Sequence, residues 1–132
     1  MKVCLALLGL LLLTSCYTVE RNCSDFKTGT FEFTYQLDGV EQTSRFKRTE
    51  NYNIDYNEGK ADSSSLRWIN DCEFVLKKLH PTTNGEKDAI HIKILSTTED
   101  SYLFEYKLAA KRPNKPTNTE KGIAVRVMKQ QI

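Results

Sequence analysis

The sequence contains little of what metal or nucleophilic catalysis requires. It has only two histidines, His80 and His91, and neither lies at a metal-ligand spacing from a cysteine. There is no Gly-x-Ser-x-Gly elbow. No carboxylate lies within an apolar stripe, where burial could shift its pKa. We therefore predict no catalytic residue, no metal site, no cofactor and no enzymatic activity.

A strong charge of either sign is also missing. The formal net charge is +2 at pH 7. Removal of an N-terminal leader that contains Lys2 would lower it to about +1. That balance is not typical of a nucleic-acid-binding protein. The chain also has no phosphate-binding glycine loop. We expect no nucleic-acid partner.

The one long apolar run lies at the N terminus. Val3 to Leu13 is nearly unbroken, and small residues follow it, as in a secretory signal. The run is too short to span a bilayer as a helix. Leu-Thr-Ser-Cys, ending at Cys16, resembles the lipobox of bacterial lipoproteins. That resemblance implies that residues 1–15 are a signal peptide and that Cys16 carries acyl chains such as palmitate. The alternative is ordinary secretion, with Cys16 free or in a disulfide.

The cysteines and the residue after the lipobox give further expectations. Cys4 leaves with the leader and Cys16 takes the lipid, so Cys23 and Cys72 remain as an even pair in an oxidising setting. No Cys-x-x-Cys redox pair exists, and we predict a structural Cys23–Cys72 disulfide. Tyr17 stands where an Asp would resemble an inner-membrane retention signal, which favours the outer membrane of the cell envelope. Residues 16–22 would form a lipidated tether, and residues 23–132 a single domain.

The domain alternates apolar and polar residues with period two, the pattern of half-buried strands. The stripes are Phe31, Phe33, Tyr35 and Leu37; Tyr52, Ile54 and Tyr56; Ile90, Ile92 and Ile94; Tyr102, Phe104, Tyr106 and Leu108; and Ile123, Val125 and Val127. Asp38-Gly39 predicts a tight hairpin. Residues 41–48 are then a polar partner strand, with Phe46 as the main apolar contact.

Residues 63–79 allow two interpretations. Leu66, Ile69, Cys72, Leu76 and Leu79 have helical spacing. Two strands, 64–69 and 72–79, are favoured because β-prone residues dominate and both neighbours are strands. The count is then about eight short strands. This predicts an all-β, antiparallel meander that forms a small barrel or a curved sheet.

Seven aromatic side chains are candidates for lining a cavity for an apolar ligand. They are Trp68, Tyr52, Tyr56, Phe74, Tyr102, Phe104 and Tyr106. The alternative is plain core packing, because eight strands leave an interior just large enough for side chains or one small ligand. With strands this short, a packed core is the expectation.

Two blocks of the chain resemble a group of small bacterial lipoproteins. They are Cys23-Ser-Asp-Phe-Lys-Thr-Gly29, and the stretch that begins Leu66-Arg-Trp-Ile-Asn-Asp-Cys72. The group has no established activity, so the resemblance implies no catalytic residues. Members are sometimes labelled as a type IV DNA topoisomerase, which conflicts with a small, exported and nearly neutral domain.

Two functions follow as hypotheses. The first is a monomeric, non-enzymatic binding or interaction module, held at the membrane by its N-terminal lipid and contacting an envelope protein. The alternative is a carrier or sensor of a small apolar ligand in a lipocalin-like cup, where the likeness to lipocalins is an analogy of architecture.

Overall fold

The computed structural model describes residues 18–110 and 118–127. The predicted signal peptide, Cys16 and Tyr17 lie outside these residues. Eight strands follow one another along the chain: β1 (Gly29–Leu37), β2 (Val40–Arg48), β3 (Tyr52–Asn57), β4 (Lys60–Trp68), β5 (Glu73–Lys78), β6 (Ile90–Thr97), β7 (Ser101–Leu108) and β8 (Glu120–Arg126). Two short 3₁₀ helices span Cys23–Phe26 and Gly85–Lys87. Neither has the length and apolar character that a membrane-spanning helix needs, and no other helix occurs in the described ranges.

The strands form a closed antiparallel barrel. Each pairs with the next along the chain, and β8 pairs with β1. The all-β meander is confirmed, with closure into a barrel rather than an open curved sheet. The first hairpin turns at Asp38 and Gly39, whose φ angles are 50° and 77°. Two consecutive positive φ angles are what a type I′ turn requires, so the Asp-Gly prediction is confirmed as well.

The stretch 63–79 contains the second part of β4 and all of β5, and the helical alternative is wrong. Ile69 donates its backbone N–H to the carbonyl oxygen of Glu73 at 2.8 Å and so closes the connection. Trp68 and Phe74 pair across the two strands, with ring centroids 4.6 Å apart. The apolar residues have helical spacing by chance, because they belong to two separate strands that a short turn joins.

The apolar stripe predicted to face the core lies on the outside in strand β3. Tyr52 and Tyr56 are 47% and 45% exposed, whereas Asn53 is buried. The register explains this, because residues directly opposite on paired strands share a face. Asn53 lies opposite Arg48 and Asp55 opposite Phe46. Since Phe46 and Arg48 point into the barrel, their polar partners must do so too. Tyr52 and Tyr56 are therefore excluded from the interior.

Strand β8 is inverted in the same way. Ile123 and Val125 are exposed and Ala124 is buried. The inward positions of β8 face the large rings of β1 and β7, which leaves room only for small residues. A Cβ at Gly122 would lie 2.9 Å from the ring of Phe104. The expected apolar stripe is therefore on the outside.

One end of the barrel, called the capped end below, is closed by the N-terminal 3₁₀ helix. Phe26 of this helix is buried against the rings of Phe31 and Tyr102. The predicted disulfide is confirmed: Cys23 bonds to Cys72 in the turn between β4 and β5, with the Cα atoms 5.3 Å apart. The disulfide thus fixes the capping helix to the wall of the barrel.

Candidate functional site

A cavity of about 190 Å³ lies inside the barrel. It extends from the capped end, at Arg48 and Tyr102, toward the opposite end, where Asp55, Ile90 and Tyr106 line it. Asn53 also lines it, and the rest of its wall is apolar and consists of Phe33, Phe46, Leu76, Ile92 and Phe104. An engineered apolar cavity of about 150 Å³ is large enough to bind benzene. The interior is therefore packed at the capped end and hollow beyond it, with room for a small organic molecule.

Three polar side chains line the cavity, and all of them come from β2 and β3. Arg48 and Asn53 are directly opposite each other, and each is only 3% exposed. Asp55 lies two residues further along the same face of β3 and is half-buried. We call Arg48, Asn53 and Asp55 the polar cluster. It follows from the register described above, which turns the polar face of β3 inward.

Arg48 is held at the floor of the cavity by neutral oxygens and aromatic rings. Its guanidinium donates to the carbonyl oxygen of Phe26 at 2.9 Å and to the hydroxyl of Tyr102 at 2.8 Å. Its nearest ring face is that of Phe74, 4.5 Å from the guanidinium carbon. Desolvated cation–π contacts of this kind stabilise by about 2 kcal/mol. These contacts fix the position of the charge, but none of them neutralises it.

Two atoms of the polar cluster have no hydrogen-bond partner among the residues that the structure describes. They are Nε of Arg48 and Oδ1 of Asn53, and both are buried. Leaving a buried donor or acceptor unpaired costs about 1–3 kcal/mol. Both side chains line the cavity. The two atoms themselves are shielded, so a molecule inside the cavity supplies the missing partners only if these side chains shift slightly.

The carboxyl of Asp55 has its pKa raised above the ordinary value, first by burial and then by the negative charge of Asp62. A hydrogen bond from Asn53 Nδ2 at 3.4 Å and the positive charges of Lys78 and Arg48 act in the opposite direction. Burial dominates, so Asp55 holds its proton to a higher pH than a solvated aspartate does.

The two tyrosines of the cavity have different roles. Burial raises the pKa of Tyr102, whose hydroxyl accepts the hydrogen bond from Arg48. Tyr106 donates its hydroxyl to Oε2 of Glu120 at 2.8 Å. Burial and Glu120 raise the pKa of Tyr106 to about 12. Both phenols therefore stay protonated at neutral pH, and each hydroxyl already makes one hydrogen bond.

Of the seven aromatic residues that the sequence indicates, three line the cavity: Tyr102, Phe104 and Tyr106. Trp68 and Phe74 instead pack near the capped end, where the ammonium of Lys27 lies 5.2 Å from the Trp68 ring centroid. Tyr52 and Tyr56 are on the outside, for the reason of register given above.

Sequence reasoning missed the polar cluster entirely. We expected no carboxylate at a position where burial could shift its pKa, because none lies within an apolar stripe, and Asp55 is such a carboxylate. One feature of the sequence could have indicated the polar cluster. Phe46 is the main apolar residue of its strand, so its face must be the inner one, and Arg48 shares that face. A tight turn after Arg48 then sets Asn53 opposite it.

Comparison with models of protein families, with curated protein sequences and with solved structures finds no match for this chain. Within residues 18–110 and 118–127, no three His, Cys, Asp or Glu side chains are grouped as a metal site would require.

Proposed function

We propose that this chain is a membrane-anchored protein of the bacterial envelope that holds one small, largely apolar molecule inside its barrel. The observation that carries the proposal is the cavity of about 190 Å³ with an apolar wall and a polar cluster at one side. Concave, mostly apolar sites with a few convergent polar groups are typical of small-molecule binding. The cavity thus favours the carrier hypothesis over a module that contacts its partner only through the outer surface.

The composition of the cavity supports an organic ligand rather than water as its filling. An ordered buried water needs two to four polar partners. The polar cluster of Arg48, Asn53 and Asp55 can offer such partners at one side of the cavity only. The remaining wall is aliphatic or aromatic. A molecule with one polar end and an apolar body matches both parts.

The proposal of membrane anchoring rests on the lipobox-like sequence ending at Cys16. The fold limits how far the barrel could lie from the membrane. The backbone N–H of Thr97 donates to the carbonyl oxygen of Glu20 at 2.9 Å, and that of Asn22 donates to the Thr97 hydroxyl at 2.8 Å. Part of the expected tether therefore lies against β6. From Cys16 to Glu20 the chain reaches at most about 14 Å. A lipid on Cys16 would keep the barrel next to the bilayer.

The test is calorimetric titration of the lipid-anchored chain in phospholipid nanodiscs with 1-naphthol, a neutral aromatic probe. Titration of empty nanodiscs corrects for partition of the probe into lipid. We expect saturable binding of one molecule per chain. Heats identical to those of the empty nanodiscs would overturn the proposal.

A pair of matched variants locates the binding. Leu76→Trp places an indole in the cavity, because Leu76 lines it. Ile123→Trp places the same group on the outer face of β8, where Ile123 is exposed. We expect Leu76→Trp to abolish binding and Ile123→Trp to preserve it. Thermal unfolding of both variants checks that each remains folded. Equal binding by the two folded variants would place the probe outside the barrel.

A further inference from the structure

We propose that the polar end of the ligand is a carboxylate, bound by Arg48 and Asn53. The inference rests on the proposed function, since it specifies the chemistry of the molecule in the same cavity. Two side chains carry it, each 3% exposed and each with an unpaired polar atom. They are directly opposite each other on β2 and β3, so one small group can contact both.

The charge of Arg48 favours an anion. A guanidinium stays protonated in proteins, and a buried charge is costly unless it is paired. The two groups that accept from the Nη atoms of Arg48 are the Phe26 carbonyl and the Tyr102 hydroxyl, and both are uncharged. A carboxylate on the ligand would accept from the unpaired Nε–H and neutralise the guanidinium at once.

Asn53 can serve as the second donor. Its amide carries an acceptor oxygen and a donor nitrogen on the same flat group. At present Nδ2 is 3.4 Å from a carboxyl oxygen of Asp55, and Oδ1 is unpaired. Turning the amide over would give Nδ2–H to the ligand and Oδ1 to Asp55. A protonated Asp55 would then donate its own O–H to Oδ1, and every polar atom of the cluster would have a partner.

The surroundings of Asp55 are compatible with this arrangement. Asp62 lies directly opposite it on β4, Lys78 of β5 bonds to Asp62 at 2.8 Å, and Arg48 approaches from β2. The Lys78 charge is thus already engaged by Asp62. A second anion in the cavity would favour the protonated form of Asp55 further.

The experiment compares three molecules that differ only in the polar end: 3-phenylpropanoate, 3-phenylpropanamide and 3-phenylpropan-1-ol. A second series of hexanoate, hexanamide and hexan-1-ol distinguishes an aryl acid from a straight-chain acid. Dissociation constants are measured by calorimetry on the nanodisc-anchored chain, with empty nanodiscs as the blank. We expect the acid of at least one series to bind about tenfold or more tightly than its amide and its alcohol, because hydrogen bonds between charged groups are stronger.

Asn53→Asp is the informative variant. The new carboxylate has almost the shape of the amide and lies opposite Arg48, so it would occupy the anion position from within the chain. We expect the preference for the acid to disappear while the alcohol binds within about threefold of its original affinity. Thr43→Asp, on the outer face of β2, adds the same charge without entering the cavity and should leave the preference unchanged.

The outcomes separate this inference from the proposed function. If the acids, amides and alcohols bind with equal affinity, the carboxylate assignment is overturned and the cavity remains a binding site. An acid preference that survives in folded Asn53→Asp overturns it as well. If none of the six molecules binds and 1-naphthol does not bind either, both proposals are overturned.

Discussion

The side chain of Arg48 crosses the barrel interior to donate to the carbonyl oxygen of Phe26, 2.9 Å away. One residue therefore forms the floor of the cavity and holds the helix that caps the barrel. Because of this double contact, binding in the cavity and stability of the capped end depend on the same guanidinium. Changes around Arg48 should thus have measurable effects on unfolding.

The hydroxyl of Tyr102 should matter more for stability than that of Tyr106. Tyr102→Phe leaves a buried N–H of Arg48 unpaired, which costs about 1–3 kcal/mol. Tyr106→Phe removes a bond to Glu120 at the exposed edge of the barrel, and it should cost less than about 1 kcal/mol. Urea unfolding of both variants measures the difference. Equal losses would show that the buried hydrogen bond does not support Arg48.

The disulfide should contribute a large share of the stability. Cys23 and Cys72 are separated by 49 residues, and a loop of that length corresponds to about 4 kcal/mol in the chain-entropy model. We expect the double variant Cys23→Ala/Cys72→Ala to lose about that much free energy of unfolding. Adding a reductant should lower the stability of the original chain and leave the double variant unchanged. A reductant effect of equal size on both would exclude the disulfide as its cause.

Asp55 should make the barrel less stable as the pH rises. Its pKa in the folded state is raised above the ordinary value of 3.8, so the folded chain binds this proton more tightly than the unfolded chain does. The free energy of unfolding therefore falls as the pH rises from 3.8 through the folded-state pKa. We expect Asp55→Asn to be more stable than the original chain at neutral pH, with the gain vanishing below about pH 3.8.

The matched control for Asp55 is Asp71→Asn, because the side chain of Asp71 is almost fully exposed. Denaturant unfolding at a series of pH values should give curves for Asp71→Asn that follow the original chain. If Asp55→Asn also follows it, the carboxyl of Asp55 is not penalised by burial.

Lipidation at Cys16 remains a prediction from the sequence, and it can be tested in cells. Cys16→Ser should accumulate as unlipidated precursor and leave the detergent phase on partition. Cys4→Ser, which changes the other cysteine of the N-terminal region, should be processed normally. Unchanged detergent partition of Cys16→Ser would contradict the lipid anchor.

Some strands could be assigned a face from the sequence and others could not. Phe31 in β1 and Tyr102 and Phe104 in β7 point inward as predicted, because their stripes are aromatic and their partners are apolar too. The stripes of β3 and β8 point outward. There, the face is decided by the neighbouring strand, through pairs such as Arg48 with Asn53. Periodicity alone carries no information about that choice.

The cavity could not be predicted for a related reason. Its volume is what remains after eight strands have contributed their inward side chains, and small changes in a few of them would fill it. The small inward residues of β8, Gly122 and Ala124, accommodate the rings of Phe33 and Phe104. On β3, the small side chains of Asn53 and Asp55 line the cavity, and the larger Tyr52 and Tyr56 lie on the outside. If β3 faced the other way, the two tyrosines would fill this space. The sequence indicated an aromatic interior and left a ligand cavity as the alternative to the expected packed core.

Binding inside the barrel is tested most directly by methyl NMR of the nanodisc-anchored chain with labelled isoleucine, titrated with 1-naphthol. Ile90 and Ile92 line the cavity, whereas Ile69 and Ile123 are exposed on the outside. We expect saturable shifts of the Ile90 and Ile92 methyl signals, with those of Ile69 and Ile123 unmoved. Shifts confined to the exposed pair, or no saturable shift at any methyl, would contradict a ligand site in the barrel.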